Sequence, residues 1–273
     1  MTETTTRILT PTDGVPLTLD DFAPSTPAPG APAVLVLHGG GGPFTVRGIA
    51  QHAADTGHRA LLPTLPGWNG APRAASLTSV PAYATLLLDL LAAEGLTDVV
   101  VIGSSLGGWL TSELAAQDAT RPAGEPARVG AAVVIDGAGV KIPGEDFVQF
   151  FALTPREIAE HSWHDADRFF VDPATQSPEQ IAAQRANMAT MGSIAGDPYM
   201  HDPSLLERLP GVQVPTLVLW GESDRVFPPS YGRAYAEAFG DARFELIAEA
   251  GHLPQLEQPE RTLARLDAFV AAL

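Results

Sequence analysis

The sequence predicts an α/β fold in which a mostly parallel central sheet is flanked by helices. Short apolar runs typical of buried parallel strands occur at residues 33–37, 96–102 and 131–135, and helical patterns lie between them. Parallel strands need crossover connections, and these place helices on both faces of a sheet. Sites in such sheets lie beyond the carboxyl ends of the strands, so residues at those ends are the first candidates for chemistry.

The chain opens with a predicted hairpin and then enters this alternation. Two β-like runs, at residues 6–10 and 15–22, flank a turn signal at residues 12–14. After a proline-rich loop and the first central strand, a helical pattern covers residues 44–56. A second candidate central strand follows at residues 58–67.

The alternation is interrupted once along the chain. Helical patterns at residues 77–94 and 106–117 continue it, but residues 137–211 combine aromatic residues, methionines and charged helical patterns without a convincing strand. Strand patterns return at residues 215–220 and 244–247, and a helical pattern follows each of them. We therefore predict that a mostly helical segment is inserted into the α/β core.

The predicted boundaries divide the chain into a core of residues 1–136 and 212–273 and a helical cap of residues 137–211. A cap over the carboxyl edge of the sheet would surround a largely apolar pocket with aromatic and methionine side chains. The candidate pocket residues are Trp68, Phe147, Phe151, Trp163 and Met188.

Residues 99–110, VVVIGSSLGGWL, indicate a strand, a sharp turn and a helix in immediate succession. The turn contains the pattern G-x-S-x-G, formed by Gly103, Ser105 and Gly107. Glycines at both positions let the strand and the helix approach closely, while the serine is held outward in a strained conformation. Ser105 is therefore the candidate nucleophile. Its neighbour Ser104 is expected to pack or to make a hydrogen bond.

A serine hydroxyl becomes a good nucleophile only when a base removes its proton, and an imidazole oriented by a carboxylate serves best. Asp224 and His252 each follow a predicted strand, and the chain order Ser, Asp, His is a known order for a catalytic triad. Two other carboxylates compete for the acid role. Glu222 is a close neighbour of Asp224, and Asp136 ends an earlier predicted strand.

Four motifs occur in an order and spacing that are more specific together than any one alone. They are HGGGGP at 38–43, GSSLGG at 103–108, GESDRVFPP at 221–229 and GHLPQLEQPE at 251–260. From residue 33 to the carboxyl terminus, apart from the inserted segment, the chain resembles the α/β-hydrolase fold family. By position, the resemblance implies that Ser105 is the nucleophile, Asp224 the acid and His252 the general base. It also implies an oxyanion hole formed by the backbone N–H groups of Gly40 and Leu106.

The resemblance implies a cofactor-independent serine hydrolase that forms an acyl-enzyme on a small to medium apolar carboxylic ester. One alternative is a carbon–carbon bond hydrolase of a diketone-like acid, whose anionic group Arg156, Arg168 or Arg185 would bind. Another is a non-catalytic ligand-binding or cyclase-like member of the fold. Dehalogenases and many epoxide hydrolases of this fold have a nucleophilic aspartate at the position of Ser105, which disfavours those two chemistries.

Composition and charge exclude several classes of partner. The 32 acidic residues against 16 basic residues give a formal charge of −16, which repels phosphate backbones and anionic headgroups. We expect a small-molecule substrate, with no nucleic acid or membrane as partner. The absence of cysteine excludes thiolate catalysis, and the polar amino terminus favours a cytoplasmic protein. Monomer and homodimer both stay open.

Two further patterns indicate no additional ligand. HGGGGP is followed by Phe44 rather than by the Lys-Ser/Thr pair of a phosphate-binding loop. A metal-like cluster of two histidines and two aspartates lies among charged residues, which favours a solvated surface. Its members are His161, His164, Asp165 and Asp167. We therefore expect no metal and no cofactor.

Overall fold

The computed structural model describes residues 3–12 and 14–273, and in them eight strands form one sheet in the order β1-β2-β4-β3-β5-β6-β7-β8. The pairs β1–β2 and β2–β4 are antiparallel, and all other neighbours are parallel, which confirms the predicted α/β class. The strands are β1 (Glu3–Leu9), β2 (Leu17–Ala23), β3 (Val34–Leu37), β4 (Ala60–Thr64), β5 (Val99–Ser104), β6 (Val129–Ile135), β7 (Thr216–Gly221) and β8 (Ala242–Ile247).

Helices connect the parallel strands, as the alternation predicts. The α-helices are α1 (Arg47–Asp55), α2 (Val80–Ala93), α3 (Leu106–Ala119), α4 (Pro155–Ser162), α5 (Ala166–Phe169), α6 (Pro178–Ala195), α7 (Leu205–Arg208), α8 (Pro229–Ala238), α9 (Pro254–Glu257) and α10 (Pro259–Val270). The helix expected at residues 44–56 begins instead with a 3₁₀ turn, Pro43–Thr45, before α1. A proline cannot donate a backbone hydrogen bond, so it suits this first turn.

The opening hairpin is confirmed by the antiparallel pairing of β1 with β2. Asp13, in the predicted turn between them, lies outside the described residues. The second central strand is confirmed as β4, which pairs with β2 on one side and with β3 on the other.

The central strands are buried on both faces, and alternate residues enter two separate clusters. Leu35 and Val101 pack on the side of α2, α3 and α8. Val36 and Ile102 pack on the opposite side, with α1 and α10. Because successive side chains of a strand point to opposite faces, continuous apolar runs are required here. The strands that carry the candidate site at their ends are thereby packed between two apolar layers.

Residues 137–211, which we call the insertion, lie between β6 and β7 and contribute no strand to the sheet. They contain α4 to α7 and 3₁₀ turns at Phe150–Ala152, Pro173–Thr175 and Leu209–Gly211. Proline, together with an N-terminal threonine or serine cap, starts α4 and α6. The division of the chain into core and cap stays a prediction. In the described part of the chain, no helix has the length and apolar character needed to cross a membrane.

Candidate active site

The turn after β5 holds Ser105 in a strained backbone conformation, with φ 60° and ψ −119°. The turn depends on glycine, since a Cβ at Gly103 would overlap the Gly107 carbonyl group, and one at Gly107 would overlap that of Leu37. The Ser105 N–H donates to the Ile135 carbonyl oxygen at 2.9 Å. Strand β5, helix α3 and strand β6 therefore all fix the direction of the serine.

Ser105, His252 and Asp224 form a continuous hydrogen-bonded chain. The Ser105 hydroxyl donates to His252 Nε2 over 2.9 Å, and His252 Nδ1–H donates to Asp224 Oδ2 over 2.9 Å. Asp224 Oδ1 accepts from the N–H groups of Val226, at 2.8 Å, and Phe227, at 3.2 Å. All three side chains are buried. The carboxylate thereby fixes the ring orientation and leaves Nε2 as the acceptor that faces the hydroxyl.

Asp136, the other candidate for the acid, lies beside these three hydrogen-bonded residues and makes no hydrogen bond to His252. Its Oδ1 accepts from the Gly221 N–H at 2.9 Å, and its buried Oδ2 has no hydrogen-bond partner among the described residues. One of its carboxylate oxygens lies within 4.8 Å of Asp224 and of a His252 nitrogen. Burial, and after it the charge of Asp224, raises the pKa of Asp136 well above its ordinary value. The carboxylate that accepts the hydrogen bond from the imidazole is that of Asp224.

The glycine-rich loop after β3 is held beside Ser105 by a buried histidine. His38 Nδ1–H donates to the Gly39 carbonyl oxygen at 2.8 Å, and Nε2 accepts from the Leu65 N–H at 3.1 Å. Burial lowers the pKa of His38 to about 4, so the neutral ring that both bonds require is the form present at neutral pH. A Cβ at Gly39 would lie 2.8 Å from Ser105 Cβ, so this loop must approach as bare backbone.

The two N–H groups predicted to form an oxyanion hole lie at this end of the sheet. Leu106 is the first residue of α3, so its N–H has no acceptor within the helix. Gly40 lines the cavity that contains Ser105, and a Cβ on Gly40 would lie 2.6 Å from Met191 Sδ. The Gly40 carbonyl oxygen accepts from Trp68 Nε1 at 3.0 Å, which fixes the loop. Their role as an oxyanion hole stays a prediction.

Ser104 and Glu222 are close in sequence to Ser105 and Asp224 but are not part of their hydrogen-bonded chain. Ser104 Oγ is buried and accepts from Gln255 Nε2 at 3.0 Å, the kind of bond expected for it. Glu222, two residues before Asp224, is exposed.

A cavity of about 380 Å³ opens onto Ser105 and His252. The glycine-rich loop and the insertion form most of its wall, and the predicted residues Trp163 and Met188 are part of it. Met191 also lines the cavity and was not among the predicted pocket residues. It is three residues after Met188 on α6, so the two side chains share a helix face, and that spacing is the signal that predicts both.

Trp68 does not line the cavity, contrary to the prediction. Its indole is fully buried behind the glycine-rich loop, with ring centroids 5.6 Å from His38 and 6.2 Å from Tyr83. Its Nε1–H donates to the Gly40 carbonyl oxygen. An indole has a large apolar surface and a single donor, so full burial with that donor satisfied is stable. Trp68 therefore supports the loop from behind.

Phe147 and Phe151 are also not part of the cavity wall. The Phe147 ring packs towards the core, 5.0 Å from the Phe227 ring, and the Phe151 ring lies edge-on to Tyr199 at 5.7 Å. Phe150 lines the cavity instead. These residues lie in or near a 3₁₀ turn, in which adjacent side chains point in different directions.

The residues of the metal-like cluster in the insertion have separate partners. The His161 ring donates to a backbone carbonyl of its own helix at 2.8 Å, and the His164 ring contacts Ser223 Oγ at 2.7 Å. The Asp165 side chain caps α5, and Asp167 forms an ion pair at 2.7 Å. These four side chains thus bind separate partners within the protein.

Comparison with known proteins identifies the family. The family model described as "Alpha/beta hydrolase family" matches residues 34–266, which is most of the chain. The chain belongs to the α/β hydrolase family. This membership confirms the resemblance carried by the four motifs, and it supports a hydrolase.

Three known proteins show what this chain is similar to. The 2-hydroxy-6-oxononadienedioate/2-hydroxy-6-oxononatrienedioate hydrolase 2 of Pseudomonas putida is 25% identical over 250 residues, which cover 85% of each chain. A thermophilic esterase from Thermogutta terrifontis matches with a TM-score of 0.69 and 22% identity, covering 99% of this chain and 98% of that one. The naproxen esterase of Bacillus subtilis matches with a TM-score of 0.72 and 20% identity over 98% and 92%. These structural likenesses establish the shared fold.

Proposed function

We propose that this hydrolase cleaves small to medium apolar carboxylic esters through a serine-linked acyl-enzyme. One observation carries the proposal: the hydrogen-bonded chain from Asp224 through His252 to Ser105 ends in a cavity whose described lining residues include no Asp, Glu, Lys or Arg. An apolar wall of this kind suits an uncharged substrate. A carboxylate entering it would lose hydration without gaining a cation in return.

In the proposed reaction, Ser105 Oγ attacks the ester carbonyl carbon while its proton passes to His252 Nε2. Asp224 holds the imidazole in place and stabilises its charged form. The N–H groups of Gly40 and Leu106 stabilise the negative carbonyl oxygen. Collapse of the intermediate breaks the bond to the alcohol oxygen, which takes the proton from His252. Water deprotonated by the same histidine then releases the carboxylic acid and restores the serine.

The insertion is proposed as the cap of this site, with residues 1–136 and 212–273 as the core. Its side chains supply much of the cavity wall above Ser105. Trp163 and Met188 are proposed to contact the apolar part of the substrate. The indole of Trp163 stacks on Phe169 with a centroid distance of 4.9 Å, so it offers a preformed flat surface.

A carbon–carbon bond hydrolase of a diketone-like acid is the second candidate, favoured by the name of the Pseudomonas putida relative. That name denotes a dicarboxylate, which requires cationic partners. Arg156 instead pairs with two carboxylates of the insertion, and Arg168 lies over Phe169 at 5.2 Å. Arg185 is exposed, and none of the three arginines lines the cavity. The ester is therefore the first candidate.

The test compares kcat/KM for p-nitrophenyl butyrate with kcat/KM for the dienedioate named for the relative. We expect the ester to be preferred by at least about tenfold, and the Ser105→Ala variant to hydrolyse neither. A preference for the dienedioate would establish the second candidate. Saturable ester binding without turnover in the wild type would indicate a ligand-binding or cyclase-like protein.

A further inference from the structure

Glu257 belongs to the carboxyl-terminal motif GHLPQLEQPE and is the last residue of α9, five residues after His252. It is 9% exposed. A carboxylate out of water needs partners, because lost hydration costs several kcal/mol unless hydrogen bonds replace it. Among the described residues, these hydrogen bonds come from backbone N–H groups.

The two oxygens of Glu257 bind two different parts of the chain. Oε1 accepts from the N–H groups of His164, at 2.9 Å, and Asp165, at 3.2 Å. Oε2 accepts from the Gly251 N–H at 2.5 Å and from His164 at 3.1 Å. His164 and Asp165 lie in the insertion between α4 and α5, and Gly251 directly precedes His252. One carboxylate thus joins the insertion to the loop that carries the histidine.

The insertion is also hydrogen-bonded to the two loops that carry His252 and Asp224. The His252 N–H donates to the Ser162 carbonyl oxygen at 2.7 Å. Arg225, which follows Asp224, donates its backbone N–H to the His161 carbonyl oxygen at 3.0 Å. The end of α4 and the residues after it are therefore attached to the acid turn and to the histidine loop. Glu257 supplies a buried carboxylate to that attachment, and the exposed Arg225 guanidinium donates to the Glu160 carbonyl oxygen at 2.7 Å.

We propose that Glu257 is a positioning residue, which holds the His252 loop against the insertion so that His252 Nε2 stays aligned with Ser105 Oγ. This inference rests on the proposed function. Hydrogen bonds to a carboxylate are shorter and stronger than those between neutral groups, so they define the loop position closely. Trp163, in the cavity wall, directly precedes the segment that Glu257 binds.

Glu257→Gln tests this role. The amide has the same size, but its NH₂ group cannot accept a hydrogen bond from a backbone N–H. Only one oxygen is left to accept the hydrogen bonds that the two carboxylate oxygens share in the wild type. We expect kcat and the rate of Ser105 labelling by a fluorophosphonate to fall on the order of 10- to 100-fold, because a shifted base misaligns the proton transfer. We expect KM to change by less than about threefold, since the cavity wall is retained. The downfield proton resonance of His252 Nδ1–H should broaden or shift.

Glu260→Gln is the matched control. Glu260 is exposed and lies three residues further along the chain, so we expect it to retain the kinetics and the His252 resonance of the wild type. A purely structural role for Glu257 predicts a lower melting temperature, with labelling per folded molecule and the resonance both unchanged. That result would overturn the proposal.

If Glu257→Gln does not fold, Glu257→Asp decides the question by the same two measurements. It keeps the carboxylate but shortens the side chain by one methylene, so slower labelling by a folded variant supports the proposal, and wild-type labelling with an unchanged resonance overturns it. Failure of the wild type to be labelled on Ser105 would contradict the proposed function. The His252 resonance requires no turnover, so it would still decide the role of Glu257.

Discussion

The core and the insertion position their candidate site residues by different physical rules. In the core, the turns after β5, β7 and β8 carry Ser105, Asp224 and His252, so each residue is placed by the end of a parallel strand. Neighbouring parallel strands are held in register by backbone hydrogen bonds, and their carboxyl ends meet at one edge of the sheet. Three residues far apart in the chain thereby reach hydrogen-bonding distance.

In the insertion, the cavity wall depends on how side chains pack. Trp163, Met188 and Phe150 line the cavity, while Phe151, adjacent to Phe150, packs on another aromatic ring. Short helices and 3₁₀ turns impose no common edge on which such residues must meet. Positions at the strand ends of the core are therefore predictable from the sequence, whereas the cavity wall depends on tertiary packing.

The largest effect is expected for the two core carboxylates that are candidates for the acid, Asp224 and Asp136. Asp224→Asn should lower kcat for an ester by about 10⁴-fold, because it removes the carboxylate that orients His252. Asp136→Asn should cost less than about tenfold, because burial already favours the neutral acid at this position. Steady-state kinetics on both purified variants measure the difference. If Asp136→Asn were the more damaging change, Asp136 would be the acid.

The second prediction compares a glycine of the core with a glycine of the insertion. Gly103→Ala should destabilise the protein by at least about 3 kcal/mol, because its Cβ would overlap backbone atoms of α3. Gly192→Ala, within α6, meets no heavy atom within 4 Å of the added Cβ and should stabilise by about 0.5–1 kcal/mol. Denaturant unfolding measures both. Equal tolerance at the two positions would contradict the strained turn.

The third prediction concerns pH and the core residue His38. The unfolded chain protonates this histidine near pH 6.5, whereas burial lowers its folded pKa to about 4. Between these values the unfolded state binds more protons, so the free energy of unfolding falls as the pH falls, by up to about 3 kcal/mol. Unfolding of the wild type and of His38→Gln at pH 7 and pH 4.5 should show the smaller loss in the variant.

Comparing the wild type with His38→Gln removes the contribution of Asp136 to the pH dependence of stability, which has the opposite sign to that of His38. Asp136 has a raised pKa in the folded state, so its own contribution to stability falls as the pH rises above its unfolded value. Both proteins keep Asp136, and its contribution cancels in the difference. A His38→Gln variant with the same pH dependence as the wild type would show that His38 does not resist protonation.

The smallest expected effect belongs to the cavity wall of the insertion. Met188→Ala removes apolar contact area and should lower kcat/KM for a longer acyl ester by about three- to tenfold, with little effect on an acetate ester. Phe151→Ala, outside the wall, should not change this chain-length preference. Kinetics on an acyl-length series give the comparison. A shift in preference only with Phe151→Ala would place the acyl site elsewhere.

Much of the fold could be predicted because its signals are local. The apolar runs of β3, β5 and β6 are continuous since both faces are buried, and the glycines beside Ser105 mark a turn that larger residues cannot form. The acid was harder to predict. Asp136 and Asp224 both follow strands, and the hydrogen bond from His252 Nδ1 to Asp224 distinguishes them.

The rest could not be predicted from local pattern. Trp68 follows a strand and could point either way, and its direction is decided by His38, Tyr83 and the Gly40 carbonyl group. Most contacts of Glu257 are with the backbone N–H groups of His164 and Asp165, which are 93 and 92 residues away in sequence and have no side-chain signature. Such features depend on how the insertion meets the core.

The most direct test of Ser105 as the nucleophile is peptide mass spectrometry after incubation with a fluorophosphonate, on the wild type and on Ser105→Ala. An activated serine attacks phosphorus and expels fluoride, so we expect one stable adduct on the peptide that carries Ser105 and none in the variant. No adduct on a folded wild type, or an adduct on another residue, would contradict the claim that Ser105 is the nucleophile.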